Sequence, residues 1–341
     1  MKQFAGYIRG VNLGGWYSQC DYSEDRLENF IKKEDIAVIA GWGADHVRLP
    51  VDYNVFEDEN GGYIEKGFAY VQRVIDWCAE SGLNMVLDLH KTAGFSFDDG
   101  ENEAGFFESE AMQDRFCCLW EEFARRFGKY SDRVAFELLN EVTEEKYSPV
   151  WNAIAKRCIE RIRAICPDVK ILVGSYLWNS YNTVAALDEP YDENIVYNFH
   201  CYAPMLFTHQ SAPWVEGMPL DFAIGYPASA DAYEQACCQQ APGMRYRMEP
   251  TKCESYGAQF FIEQFADAVR VAEERGAALY CGEYGVINLA DPEDTLAWYK
   301  DINAAFEHYG IGRACWSYRE MDFGLADEHM APVIERLVKY L

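Results

Sequence analysis

The chain has 341 residues, half of them apolar and 15% aromatic, with 30 basic against 56 acidic side chains and a net charge of −26. That is enough apolar surface for one large core, and the acidity, unbroken by any basic run, excludes a nucleic-acid partner. No stretch approaches about 18 uninterrupted apolar residues, so no membrane span is expected.

The first residues, MKQFAGYIRGVNLGGW, hold no apolar run of signal-peptide length, because Gly and Asn interrupt it early. The chain as given is therefore expected in the cytoplasm, with its 12 cysteines reduced. Cys117–Cys118 and Cys237–Cys238 are adjacent pairs and lack the two-residue spacing of a zinc knuckle. No metal and no cofactor is expected.

Short apolar runs then alternate with helical patterns. The strand candidates are YIRGVNL (7–13), ADHVRLP (44–50), NMVLDLH (84–90), VAFELLN (134–140), KILVGSY (170–176), IVYNFHCY (195–202), ALYCGEYG (278–285) and RACWSY (313–318). Runs of this length suit buried parallel strands. Between them, apolar residues recur at steps of three and four: Phe68, Val71, Ile75 and Cys78; Phe116, Leu119, Phe123 and Phe127; Ile154, Cys158, Ile162 and Ile165. Phe261, Phe265, Val269 and Ala272 repeat the pattern, as do Trp298, Ile302, Ala305 and Tyr309. Gly82, Gly128 and Gly276 fall where helices should stop, and residues 332–341 read as a closing helix.

Eight strands alternating with helices predict a single-domain (β/α)8 TIM barrel. A doubly wound open sheet is the alternative, but RGVNLGGW lacks the G-x-G-x-x-G spacing of its phosphate loop. The excess length concentrates in residues 203–256 after strand six. This segment is expected to be a long loop insertion over the catalytic face, with Trp214, Phe222, Tyr226 and Tyr233 as sugar platforms or as plain packing.

In a barrel, catalytic groups come from the C-terminal strand ends. Those ends carry Arg48, His90, Asn140 with Glu141, His200 with Tyr202, Glu283 and Trp316. Each alone has a structural explanation: a hydrogen-bonded core histidine, a packed tryptophan, an arginine paired with a carboxylate such as Asp88. Their shared position at one end is harder to explain by packing. Carboxylates on strands four and seven can flank a bond held between them, as glycoside hydrolysis requires. Arg48 and Tyr202 can hold Glu283 ionised, Asn140 can bond a sugar hydroxyl, His200 can act on Glu141, and Trp316 can floor a pyranose ring. Trp178 and Asn179 after strand five, and Trp16 after strand one, are further candidates at the rim.

Together RGVNLGGW, HVRLP, LDLHK, LLNEV, NFHCYAP, CGEYG and ACWSY resemble glycoside hydrolase family 5, the cellulase family of retaining (β/α)8 glycosidases, over about residues 7–325. The resemblance implies Glu141 as acid/base and Glu283 as nucleophile. It implies Arg48, His90, Asn140, His200, Tyr202 and Trp316 as their supporting positions, with no metal. The RGVNLGGW opening is similar to the exo-β-1,3-glucanase branch. The expected substrate is therefore a β-glucan oligosaccharide or small glucoside trimmed in a pocket. An endo-acting β-1,4-glucanase or β-mannanase with an open groove is the main alternative. A non-catalytic sugar-binding barrel and a metal enzyme using His90, His200 and a carboxylate are weaker ones.

Overall fold

Eight parallel strands close into one barrel in chain order: β1 Arg9–Asn12, β2 His46–Asp52, β3 Asn84–Lys91, β4 Val134–Glu137, β5 Ile171–Gly174, β6 Ile195–Cys201, β7 Ala278–Tyr284 and β8 Gly312–Cys315. The computed structural model describes residues 1–98, 101 and 103–341. β1 pairs with both β2 and β8. That closure rules out the doubly wound open sheet, and each predicted strand run contains or overlaps an observed strand.

The five helices expected from periodicity form at Glu65–Glu80, Glu110–Phe127, Ser148–Arg163, Ala258–Glu274 and Pro292–Tyr309. Their buried faces are those of the apolar repeat, except that Ile165 lies beyond the end of its helix and is exposed and Tyr309 is half-buried; Phe116, Leu119, Phe123 and Phe127 of the second are all buried. Ser109 caps that helix by accepting from the Met112 N–H. Gly310, at φ 68°, ends the last of the five in the left-handed conformation that glycine adopts freely. No helix is long and apolar enough to cross a membrane among the described residues, and the twelve cysteines are free thiols.

Several connections depart from expectation. Two short helices, Glu24–Asn29 and Lys33–Gly41, lie between β1 and β2; the first buries no residue and the second only Ile36 and Ile39, so they carry little periodic signal. Between β5 and β6 there is no full helix, only a turn at Tyr176–Asn179 and a 3-10 segment at Tyr181–Ala186. The closing helix is reduced to Ile334–Leu337 and one 3-10 turn.

Residues 203–256 are not a plain loop. They hold a helical turn at Met205–Thr208, a helix at Ala230–Gln240 and a 3-10 turn at Pro242–Arg247. Phe222, Tyr226 and Tyr233 are buried, and the Tyr226 hydroxyl donates to Asp301 on helix Pro292–Tyr309 at 3.0 Å. These aromatics therefore pack the insert onto the barrel. Trp214 alone of the four candidates is well exposed.

Inside the barrel, residues of alternating position face the axis. Phe4, Tyr7, Val86, Ala135, Leu172, Val196, Ala278, Tyr280 and Ala314 form one apolar plug. Two residues further along the strands the filling turns polar, with Asp88, Glu137 and Asn198 all fully buried. Apart from His46, which meets the Tyr280 hydroxyl at 2.7 Å in the lower layer, apolar support below and charge above place the charged groups of the axis towards the C-terminal ends.

Candidate active site

The site is built outward from Arg48, which is completely buried in β2. Its Nε and Nη2 donate to Glu137 at 2.7 and 2.8 Å, a two-pronged contact, and Nη2 also reaches Asp88 at 3.0 Å. Nη1 donates to Glu283 at 2.7 Å and Asn12 at 3.0 Å, and Nη2 to the Asn140 carbonyl at 2.9 Å. One guanidinium on strand two thus fixes groups from strands one, three, four and seven. Asn198 donates a further bond to Glu137 at 2.8 Å.

Above this layer the two rim glutamates meet. Oxygens of Glu141 and Glu283 and a ring nitrogen of His200 lie within 4.8 Å of one another. His200 Nδ1 is 2.7 Å from Glu141 and 3.7 Å from Glu283. The Tyr202 hydroxyl donates to Glu283 at 2.8 Å. The backbone of Glu141, at φ 44°, is in the left-handed region that non-glycine residues rarely occupy. Such strain persists only where surrounding structure holds it.

The environments of the two carboxyls differ. Burial and then the charge of Glu283 push Glu141 well above the usual carboxylate range. Burial also raises Glu283, against the expectation that Arg48 would lower it outright; Arg48, His90 and the Tyr202 hydrogen bond oppose that rise. The direct bonds from Arg48 and Tyr202 go to Glu283, so when the pair holds one proton, Glu141 is its place.

His90 donates from Nδ1 to Asp88 at 2.5 Å, and burial, then Arg48, depress it to about 4, so it is neutral near pH 7. Its ring lies parallel to that of Trp316, 5.7 Å away. The grouping of His90 with His200 as metal ligands does not occur among the described residues; the cluster found is Glu141, His200 and Glu283.

Two candidates placed at the rim are buried instead. Trp16 is fully buried, stacked on Tyr17, with its indole N–H donating to Leu27 at 3.0 Å. Asn179 is also fully buried. Trp178 is 39% exposed, and its backbone N–H donates to the carbonyl of Val142, the residue after Glu141. The RGVNLGGW segment serves the frame: Asn12 donates to the carbonyls of Gly282, Ala314 and Cys315, and a side chain on Gly14 would strike the Trp316 indole.

Sequence reasoning missed Glu137, Asn198 and Asn12. A visible signal existed for the first: an acid in the middle of the apolar run VAFELLN, at an inward position of a fully buried strand. The pairing of Arg48 with Asp88, considered as a structural possibility, is present.

A closed (β/α)8 barrel with paired carboxyls on strands four and seven is the architecture of a barrel glycoside hydrolase. The chain belongs to the cellulase family, glycosyl hydrolase family 5, whose profile matches residues 5–322. It is 48% identical to cellodextrinase A of Ruminococcus flavefaciens over 92% of this chain and 86% of that protein. It is 37% identical to endoglucanase C of Acetivibrio thermocellus over 97% of both chains. The fold matches endoglucanase Cel5A of Thermotoga maritima with a TM-score of 0.76 at 23% identity, over 98% of this chain and 97% of that one. These relatives correct the expected affinity with the exo-β-1,3-glucanase branch, which rested on a segment that here braces the barrel.

Proposed function

We propose that this enzyme hydrolyses β-1,4-glucosidic bonds of short cello-oligosaccharides with retention of anomeric configuration. The observation that carries the proposal is the paired carboxyl groups, with oxygens within 4.8 Å. Retaining enzymes hold their carboxyls about 5–5.5 Å apart, and inverting ones about 6.5–9.5 Å, to admit a water. Glu283, held by Arg48 and Tyr202, attacks the anomeric carbon. Glu141 protonates the departing oxygen, then takes a proton from the water that releases the glycosyl-enzyme. The Asn140 amide nitrogen has no partner among the described residues and can donate to a sugar hydroxyl, while Trp316 offers its face to the ring.

The preference for short chains is supported by the 48% identity to a protein named a cellodextrinase. Proton NMR of cellotetraose cleavage should show the β-anomer first. Cellotetraose should also be consumed well before soluble β-1,4-glucan loses viscosity. Initial α-anomer would sink the retaining mechanism. An early viscosity drop would replace the oligosaccharide preference with endo action, a reading favoured by the burial of three of the four insert aromatics.

Trp178 is exposed, and its backbone is tied to the residue after the acid/base; in this reading its ring stacks on the leaving part of the substrate. Trp178→Ala should raise KM for cellotetraose roughly tenfold, the loss of about 1–2 kcal/mol of stacking, with kcat little changed. An unchanged KM would place Trp178 outside the substrate path.

A further inference from the structure

His200 has one ring nitrogen engaged and one free. Nδ1 faces Glu141 at 2.7 Å, whereas Nε2 is buried and has no hydrogen-bond partner among the described residues. The Asn179 amide shares that condition: Oδ1 and Nδ2 are both buried and unpartnered. Buried polar atoms are nearly always paired, so His200 Nε2 and the Asn179 amide, at neighbouring strand ends, each call for a partner.

They lie over the same stretch of β6. A side chain on Gly174 would meet Asn179 Oδ1 at 2.2 Å, so the Asn179 amide occupies the inward place that glycine leaves open. Gly174 pairs with Asn198, two residues before His200 on the same face. On the other flank, a Cβ at Gly282 would lie 2.8 Å from Asn198 Oδ1 and 2.9 Å from His200 Nε2. Ser180, next to Asn179, bridges to the His200 backbone. Leu177, Trp178 and Asn179 all have φ near 52–53°, and this left-handed run carries the amide into the barrel.

We propose that Asn179 is a positioning residue that, through a bound water, holds His200 as its Nε2–H tautomer and so leaves Nδ1 to accept from protonated Glu141. The proposal rests on Glu141 being the acid/base. A neutral imidazole carries one N–H, and burial, then Arg48 and His90, keep His200 neutral. With the proton on Nε2, that atom donates to the water, which donates to Asn179 Oδ1; Nδ1 then accepts from the Glu141 carboxyl and favours its acid form. With the proton on Nδ1, the ring donates to an ionised Glu141 and favours the base form. The other groups that act on this pair are Glu283, Arg48, Asp98 and Asp88 on Glu141, and Arg48 and His90 on His200. Replacing Asn179 leaves all of them in place.

The test uses Asn179→Gly, which removes the amide and suits the left-handed backbone, and Asn179→Asp, which keeps an acceptor. The probes are cellotetraose, whose leaving group needs an acid, and 2,4-dinitrophenyl β-cellobioside, whose leaving group does not. For Asn179→Gly, kcat/KM on cellotetraose should fall about tenfold and its alkaline limb should move down by roughly one pH unit. The aryl substrate should stay within about twofold. Asn179→Asp should keep the limb at or above its parent position. Equal losses on both substrates with an unmoved limb would reduce Asn179 to a packing role and overturn the proposal, as would an unchanged profile. A Glu141→Gln control separates the two claims: if it spares cellotetraose turnover, the acid/base assignment itself fails.

Discussion

Glu283→Gln should lower kcat on cellotetraose by about 10⁴-fold or more, because the amide cannot form the glycosyl-enzyme. The loss should extend to 2,4-dinitrophenyl β-cellobioside, since a good leaving group does not replace a missing nucleophile. This sets it apart from loss of the acid, which an activated aglycone bypasses in the first step. The fold should survive, because Gln keeps the shape of the side chain and can still accept from Arg48 and Tyr202, which lie at 2.7 and 2.8 Å. Circular dichroism and a melting curve would establish that. Substantial turnover of either substrate by the folded variant would remove Glu283 from the nucleophile's role.

The second large effect concerns stability. Glu137→Ala removes the two-pronged partner of a fully buried arginine and leaves Arg48 Nε and Asn198 Nδ2 without their acceptor. Breaking a buried ion pair from one side costs roughly 3–5 kcal/mol, which urea unfolding would read directly. Glu137→Gln keeps the volume and one acceptor and should cost less. Its pH dependence is also informative. Burial raises Glu137 to about 7, above the ordinary 4.5 of the unfolded chain. The folded state therefore holds that proton more tightly, and stability from this group is present below about 4.5 and lost as pH rises towards 7. The permanently neutral Gln should flatten the stability profile across that window. If Glu137→Ala unfolds within about 1 kcal/mol of the parent, the Arg48 network is not a main support of the barrel.

Most of the frame was legible because buried parallel strands are short and apolar, and eight of them alternated with amphipathic helices. The rim residues were legible because a polar group at the end of an apolar run stands out: Asn140 with Glu141 after VAFELL, and Glu283 within ALYCGEYG. What failed had a physical cause in each case. Trp16 directly follows β1 in sequence, but the Gly14–Gly15 turn, with Gly15 at φ 70°, sends its indole into the core. Asn179 follows β5 closely in sequence, but a left-handed run at residues 177–179 turns its amide inward. The insert's aromatics could have lined a cleft or packed a subdomain, and only tertiary contacts such as Tyr226 to Asp301 distinguish the two. Glu137 was overlooked because its partners come from strands remote in sequence.

The axis beneath the substrate sets one cation, Arg48, among Asp88, Glu137 and Glu283, with Glu141 close by. Burial among so many acids raises Asp88 and Glu137 to about 7 even though Arg48 opposes the rise. During glycoside cleavage the sugar itself becomes positively charged at its anomeric carbon. The barrel carries the counter-ion for that short-lived cation before the cation exists, fixed in place and needing no solvent rearrangement when the charge develops. The surplus of acid over base along the axis is matched only while the substrate is an ion.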